Sequence, residues 1–293
     1  MRGELVSVTT RDFVRLHGFY AGPSSSSQRR ETGVVLVHGL GGNFYGSPLL
    51  TAITQHLRDS GFDTLMANTR GHDLLNWTAC AGRSRVLGSS TENVADASAD
   101  LAAWAAYLQR QGCRRVALIG HSLGAIKLLY AQAHAPEPDV MTLIALSPTR
   151  LNHQQFLVGP KGAEFERSLR EAEAHVAAGR EDQLIKIEFP FPTWMSAEGF
   201  LLKYGHQDLF DWFRFADRVQ IPALLTFGER ELDEHPAFVG LRAALDEARS
   251  AGRWPQLNIE TIPNADHFYV ACYRLIAERC AQWLTEHDRE SIQ

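Results

Sequence analysis

Five short apolar runs limit what this chain can fold into. They are Gly33-Val34-Val35-Leu36-Val37, Thr64-Leu65-Met66-Ala67, Val116-Ala117-Leu118-Ile119, Thr142-Leu143-Ile144-Ala145-Leu146 and Ala223-Leu224-Leu225-Thr226-Phe227. None alternates polar with apolar, so each reads as a strand buried on both faces, as in a parallel sheet. Helical spacing fills the gaps. Val94, Ala97, Leu101, Trp104 and Leu108 step by three and four along one face, with Thr91 upstream as the expected N-cap. Tyr269, Cys272, Tyr273, Ile276, Cys280, Trp283 and Leu284 mark a last helix in the same way. Strands that alternate with helices predict an α/β fold, a doubly wound and mostly parallel sheet. Before them, Leu5–Thr10 and Leu16–Tyr20 alternate like the arms of a hairpin. Pro23–Gln28 is a polar connector too short to separate domains.

One segment breaks the rhythm. From Leu151 to about Phe215 the pattern turns helical and charged, with one helix expected over Glu164–Arg180. Aromatic residues then crowd together, Trp194, Phe200 and Trp212 among them. The expectation is a helical lid over residues 151–216, inserted between core segments 1–150 and 217–293. In it, Trp194, Phe200 and Trp212 are expected to line a substrate pocket.

Composition narrows the function classes. The net charge is −5, and Lys and Arg are scattered, which argues against nucleic acid as a partner. No apolar run approaches the ~20 residues of a membrane span. No signal-peptide pattern opens the chain. The four cysteines (Cys80, Cys113, Cys272, Cys280) lack metal-site spacing and read as reduced thiols. A cytoplasmic protein is expected, without a metal or organic cofactor. The sequence leaves homo-oligomers open.

The chemistry centres on Gly120-His121-Ser122-Leu123-Gly124. This Gly-x-Ser-x-Gly pattern sits where a buried strand ends and a helix, expected over Ala125–Ala133, begins. A sharp strand-to-helix turn needs small flanking residues, and it lifts the serine hydroxyl out of the sheet. The helix N-terminus adds free N–H groups where an oxyanion forms.

Several further motifs follow in order. Val34–Val37 leads into His38-Gly39-Leu40-Gly41-Gly42. Asn68-Thr69-Arg70-Gly71-His72 follows the next strand. Phe227-Gly228-Glu229-Arg230-Glu231 and Asn264-Ala265-Asp266-His267-Phe268 follow the last two. On these motifs the chain resembles the α/β-hydrolase superfamily along nearly its whole length outside the insertion. The long loop after Arg70 and the insertion also resemble a subgroup containing fungal siderophore esterases.

The resemblance implies roles. Ser122 is the nucleophile and His267 its base, in the chain order serine, acid, histidine. The acid falls at Glu231 on spacing, three residues after Gly228, with Asp233 as the alternative. The backbone N–H groups of Leu40 and Leu123 are the implied oxyanion hole, with Tyr45 either assisting or only packing. His38 and His121 read as buried, hydrogen-bonded rings. A small-molecule carboxylic ester, with an apolar or aromatic group, is the expected substrate. Thioester or carbon–carbon bond hydrolysis uses the same triad, and a non-catalytic binding module is the reading from another class. A serine nucleophile argues against dehalogenase chemistry. The loop after Val37 also lacks the third glycine of a dinucleotide site.

Overall fold

The computed structural model describes residues 1–25 and 29–290; the end of the Pro23–Gln28 connector lies outside the described residues. The chain opens with strands β1 (Glu4–Thr9), β2 (Arg15–Ala21) and β3 (Thr32–Val37), then α1 (Pro48–Asp59) and β4 (Asp63–Ala67). A hairpin of β5 (Asn76–Cys80) and β6 (Arg83–Leu87) precedes α2 (Ala97–Arg110), β7 (Arg115–His121), α3 (Leu123–His134) and β8 (Val140–Leu146). Next come α4 (His153–Val158), α5 (Gly162–Ala177), β9 (Leu184–Ile187), β10 (Thr193–Ser196) and α6 (Ala197–Tyr204). The chain closes with β11 (Ala223–Gly228), α7 (Glu229–Glu234), α8 (Leu241–Ser250), β12 (Leu257–Ile262) and α9 (Tyr273–Glu290).

Eight strands form the main sheet in the order β1-β2-β4-β3-β7-β8-β11-β12. β1 and β2 run antiparallel, and every pair from β4 to β12 is parallel. All five apolar runs are central strands, and β3, β4 and β11 are buried at every position. Two cores follow from burial on both faces. One joins Ile53 and Leu57 of α1 with Ile276, Trp283 and Leu284 of α9. The other joins Leu101, Trp104 and Leu108 of α2 with Ile126 and Leu129 of α3. Each large side chain buried this way contributes about 1.5–3 kcal/mol. The α2 stripe is therefore the expected one. Its start is not: Asn93, not Thr91, accepts the capping N–H, from Ala95, and a 3-10 turn over Val94–Asp96 precedes α2. Thr91 stands too far upstream to reach those amides.

The strand order places the site. From β3 the chain steps to β4 on one side, then returns to β7 on the other. Val37 and Gly120, at the ends of β3 and β7, are partners in register. Ligands bind outside the carboxyl ends of strands where the winding reverses. The His38 loop, Ser122, Glu231 and His267 all follow carboxyl ends of main-sheet strands.

The segment 151–216 carries α4, α5 and α6, but also the antiparallel hairpin β9–β10 within it. The helix expected over Glu164–Arg180 ends at Ala177. Most of its aromatics do not line a groove. Phe165, Phe200, Phe210, Trp212 and Phe215 are buried and continue the core beside α3. Lys203 of α6 is buried, and its ammonium donates to the carbonyls of Ser89 and Glu92.

Candidate active site

Ser122 has φ 54° and ψ −120°, a conformation that L residues rarely adopt and that stores strain. Close packing holds it there. A Cβ on Gly120 would lie 2.6 Å from the Gly124 carbonyl carbon, and one on Gly124 would lie 2.5 Å from the His38 oxygen. Only glycine lets α3 start this tightly against β3 and β7.

The Ser122 hydroxyl lies 3.1 Å from His267 Nε2, and His267 Nδ1 lies 2.7 Å from Glu231 Oε2. Glu231 stands in the first turn of α7, and its longer side chain folds back so that Oε1 accepts the Gly228 N–H at 2.6 Å. That contact turns a glutamate three residues after the strand glycine towards His267. The Ser147 hydroxyl also donates to Oε1, at 2.6 Å, and lies 2.9 Å from the Tyr269 hydroxyl. Sequence reasoning misses Ser147 as a partner of Glu231, and Tyr269 as the partner of Ser147, since a lone serine after β8 carries no signal. Asp233 faces away: it is exposed and pairs with Arg242 at 2.8 Å.

The surroundings keep His267 neutral. Burial holds its imidazole below the ordinary value, at about 4. Glu231 is pushed up, first by burial, against the donors from Ser147 and Gly228. His121 Nε2 lies 2.7 Å from the His267 carbonyl, an oxygen that only accepts, so His121 donates and pins that backbone. The rings of His235 and Phe238 pack on His267 at 5.1 and 5.3 Å.

His121 is itself held low by burial, at about 4. A histidine with a depressed folded pKa stabilises the fold above its unfolded value of about 6.5 and loses that contribution as pH falls. Wild type is therefore expected to lose stability relative to His121→Gln, by up to about tenfold in the folding equilibrium per pH unit between 6.5 and about 4. Urea midpoints of the two proteins across that range check this; parallel curves would refute it.

Leu40 and Leu123 both line the cavity above Ser122. Neither N–H has an acceptor among the described residues: Leu40 lies in a loop without one, and Leu123 is the first residue of α3. Gly39 packs against Ser122, with room for a Cβ only 3.1 Å from the serine's own. Tyr45 is exposed, and its hydroxyl donates to Asp73 at 2.8 Å.

The cavity has a volume of about 650 Å³. Leu151, Phe156, Phe189, Phe191 and Tyr204 give it an apolar wall, and Asn43, Ser47 and Thr149 also line it. Trp194, Phe200 and Trp212 do not line it. Trp194 is half exposed on the outer face of β10, while Phe200 and Trp212 are committed to the core. Residue type and density signal an aromatic wall, but not which aromatics the core claims. Among the described residues no group of three or more His, Cys, Asp or Glu is placed to hold a metal. No helix among them is long and apolar enough to cross a membrane.

The sequence profile of the alpha/beta hydrolase family matches residues 34–279. The chain belongs to this family. The hydrolase also matches solved structures. Est1E from Butyrivibrio proteoclasticus, bound to ferulic acid, is 16% identical with a TM-score of 0.64, over 96% of this chain and 98% of that one. The alpha/beta hydrolase GrgF from Penicillium sp. sh18 is 14% identical with a TM-score of 0.69, over 99% and 100%. The Pyrococcus furiosus esterase PF2001 is 15% identical with a TM-score of 0.60, over 97% and 91%. At these identities the likeness is one of fold. No curated protein matches the chain in sequence.

Proposed function

We propose that this hydrolase cleaves carboxylic esters through an acyl-enzyme on Ser122. The continuous chain from the Ser122 hydroxyl through His267 to Glu231, at the floor of an apolar cavity, carries the reading. His267 Nε2 takes the serine proton as Oγ attacks the carbonyl carbon. Glu231 keeps the proton of His267 on Nδ1 and stabilises the imidazolium that forms. The N–H groups of Leu40 and Leu123 receive the oxyanion. His267 then gives the proton to the leaving alcohol. A water, deprotonated by the same imidazole, releases the acid.

The cavity supports an uncharged substrate with an apolar or aromatic group. Among the described residues no Lys, Arg, Asp or Glu lines it, and Phe156, Phe189 and Phe191 offer flat area at low entropic cost. The ferulic acid bound to Est1E is an aromatic acid of this kind. Tyr204 is the one residue of that wall that carries a hydroxyl. We take residues 151–216 as a lid, since Leu151, Phe156, Phe189, Phe191 and Tyr204 all come from it. The free cysteines fit a reducing, cytoplasmic setting. The siderophore-esterase likeness rests only on the long loop and the insertion.

Incubation with a small fluorophosphonate, followed by intact mass, tests the reading. One stoichiometric adduct is expected on the native chain and none on Ser122→Ala. A folded native chain that takes no adduct sinks the activated serine. Matched neutral and carboxylate-bearing esters then test the substrate class, with the neutral aromatic ester expected to turn over faster.

A further inference from the structure

Behind the Gly39 loop runs a row of buried polar groups that the triad does not use. Lys127, in the second turn of α3, is fully buried and pairs with the carboxylate of Glu92. Its ammonium donates to Thr69 Oγ1 at 2.8 Å. The Thr69 backbone N–H and hydroxyl lie 3.3 and 3.5 Å from His38 Nε2. His38 Nδ1 lies 2.8 Å from the Gly39 carbonyl oxygen.

The donors and acceptors are fixed by chemistry. An ammonium only donates, so Thr69 Oγ1 accepts and its own proton is free to turn to His38. A backbone N–H only donates, so Nε2 carries no proton. A carbonyl only accepts, so Nδ1 carries one. His38 is therefore the neutral Nδ1–H tautomer. Burial and the nearby Lys127 charge, which hold its ring well below the ordinary value, agree with this.

The Gly39 carbonyl belongs to the same peptide group as the Leu40 N–H. Gly42 N–H donates to that carbonyl as well, at 3.1 Å. All the dipoles in the row point one way, from a buried cation towards an N–H with no partner of its own. Each bond in such a chain strengthens the next, by roughly 10–30%. A buried ion pair is weak evidence for stability, and apolar residues of like volume often serve a core as well. The row's other end gives this pair a use.

We propose that the ammonium of the Lys127–Glu92 pair, acting through Thr69 and His38, orients and polarises the Gly39–Leu40 peptide as a donor of the oxyanion hole. The catalytic side of this rests on the esterase reading above. Thr69, His38 and Lys127 are positioning residues, since none touches the reacting atoms. Charge on the oxyanion develops only in the transition state, so their effect falls on kcat and not on KM.

Thr69→Val, nearly isosteric, cuts the row. It is expected to lower kcat about tenfold with KM little changed, a fraction of the 10²–10³ lost when an oxyanion donor is removed. Affinity for a trifluoromethyl ketone, whose adduct carries the oxyanion, is expected to fall equally. Affinity for a substrate-like amide should hold. Lys127→Met should act alike, and the double variant should lose no more than either single one. An unchanged kcat, or equal losses for ketone and amide, would overturn the proposal.

A second measurement needs no turnover and separates this proposal from the esterase reading. Imidazole ¹⁵N shifts are expected to report His38 as Nδ1–H, and the Leu40 amide proton should move upfield in Thr69→Val. A His38 protonated on Nε2, or an unmoved Leu40 amide, overturns the relay even if Ser122 proves reactive. The expected shifts on a chain that fails to label would uphold the relay and sink the esterase.

Discussion

Ser122→Ala is expected to lower kcat for ester hydrolysis by about 10⁶-fold, and His267→Ala by a similar factor. Their combination should cost little more than either alone. On the proposed mechanism the two groups perform one act. The serine hydroxyl is a weak nucleophile until Nε2, 3.1 Å away, accepts its proton. Without the imidazole the hydroxyl does not attack, and without the hydroxyl the imidazole has nothing to activate. On that mechanism what survives is the cavity and the N–H groups of Leu40 and Leu123, which alone should retain roughly 10³–10⁴-fold over water. Single and double variants, assayed on one neutral aromatic ester, decide the matter. A double variant whose loss is the product of the two single losses would show that the residues act independently, and the mechanism would need another base.

The fold and the site are not equally legible in the sequence, and the reason is physical. The apolar runs at 33–37, 116–119 and 223–227 have one low-energy use, strands buried on both faces, so they predict the centre of the sheet. Ser122 and His267 are legible as candidates because a strained turn and a strand end constrain the residues around them, and the fold brings them within 3.1 Å. The proposed acid is harder. Spacing favours Glu231 over Asp233, but the turn of its side chain back onto the Gly228 N–H is made by loop geometry. The pocket wall is harder still. Phe200 and Phe189 are both buried aromatics in the same segment, yet only Phe189 faces the cavity, while Phe200 packs against Phe165 of α5. The β9–β10 hairpin is hidden in a segment whose charge pattern reads as helix. The row from Lys127 through Thr69 to His38 joins residues 58 and 31 positions apart, and no local pattern announces such a contact.

Glu231→Gln is expected to lower kcat about 10⁴-fold while leaving the fold intact. The argument turns on which proton goes where. Oε1 of Glu231 accepts from the Gly228 N–H and the Ser147 hydroxyl, and Oε2 accepts from His267 Nδ1. A glutamine has one carbonyl and one amide NH₂. The Gly228 N–H cannot reverse its role, so the carbonyl oxygen stays there and the NH₂ faces Nδ1. The imidazole must then present a bare Nδ1 and carry its proton on Nε2. In that tautomer Nε2 donates towards Ser122 Oγ and cannot take its proton. The geometry survives and the chemistry fails, so KM should change far less than kcat. Asp233→Asn is the matched control. Asp233 is exposed and bound to Arg242, and a surface change of this kind is worth within about 0.5 kcal/mol. Steady-state kinetics of the two variants, with imidazole ¹⁵N shifts reporting the His267 tautomer, test the assignment. A Glu231→Gln enzyme that keeps Nδ1 protonated and turns over within tenfold of wild type would remove Glu231 from the triad. A large loss in Asp233→Asn would mean that the loop rearranges and the aspartate supplies the acid.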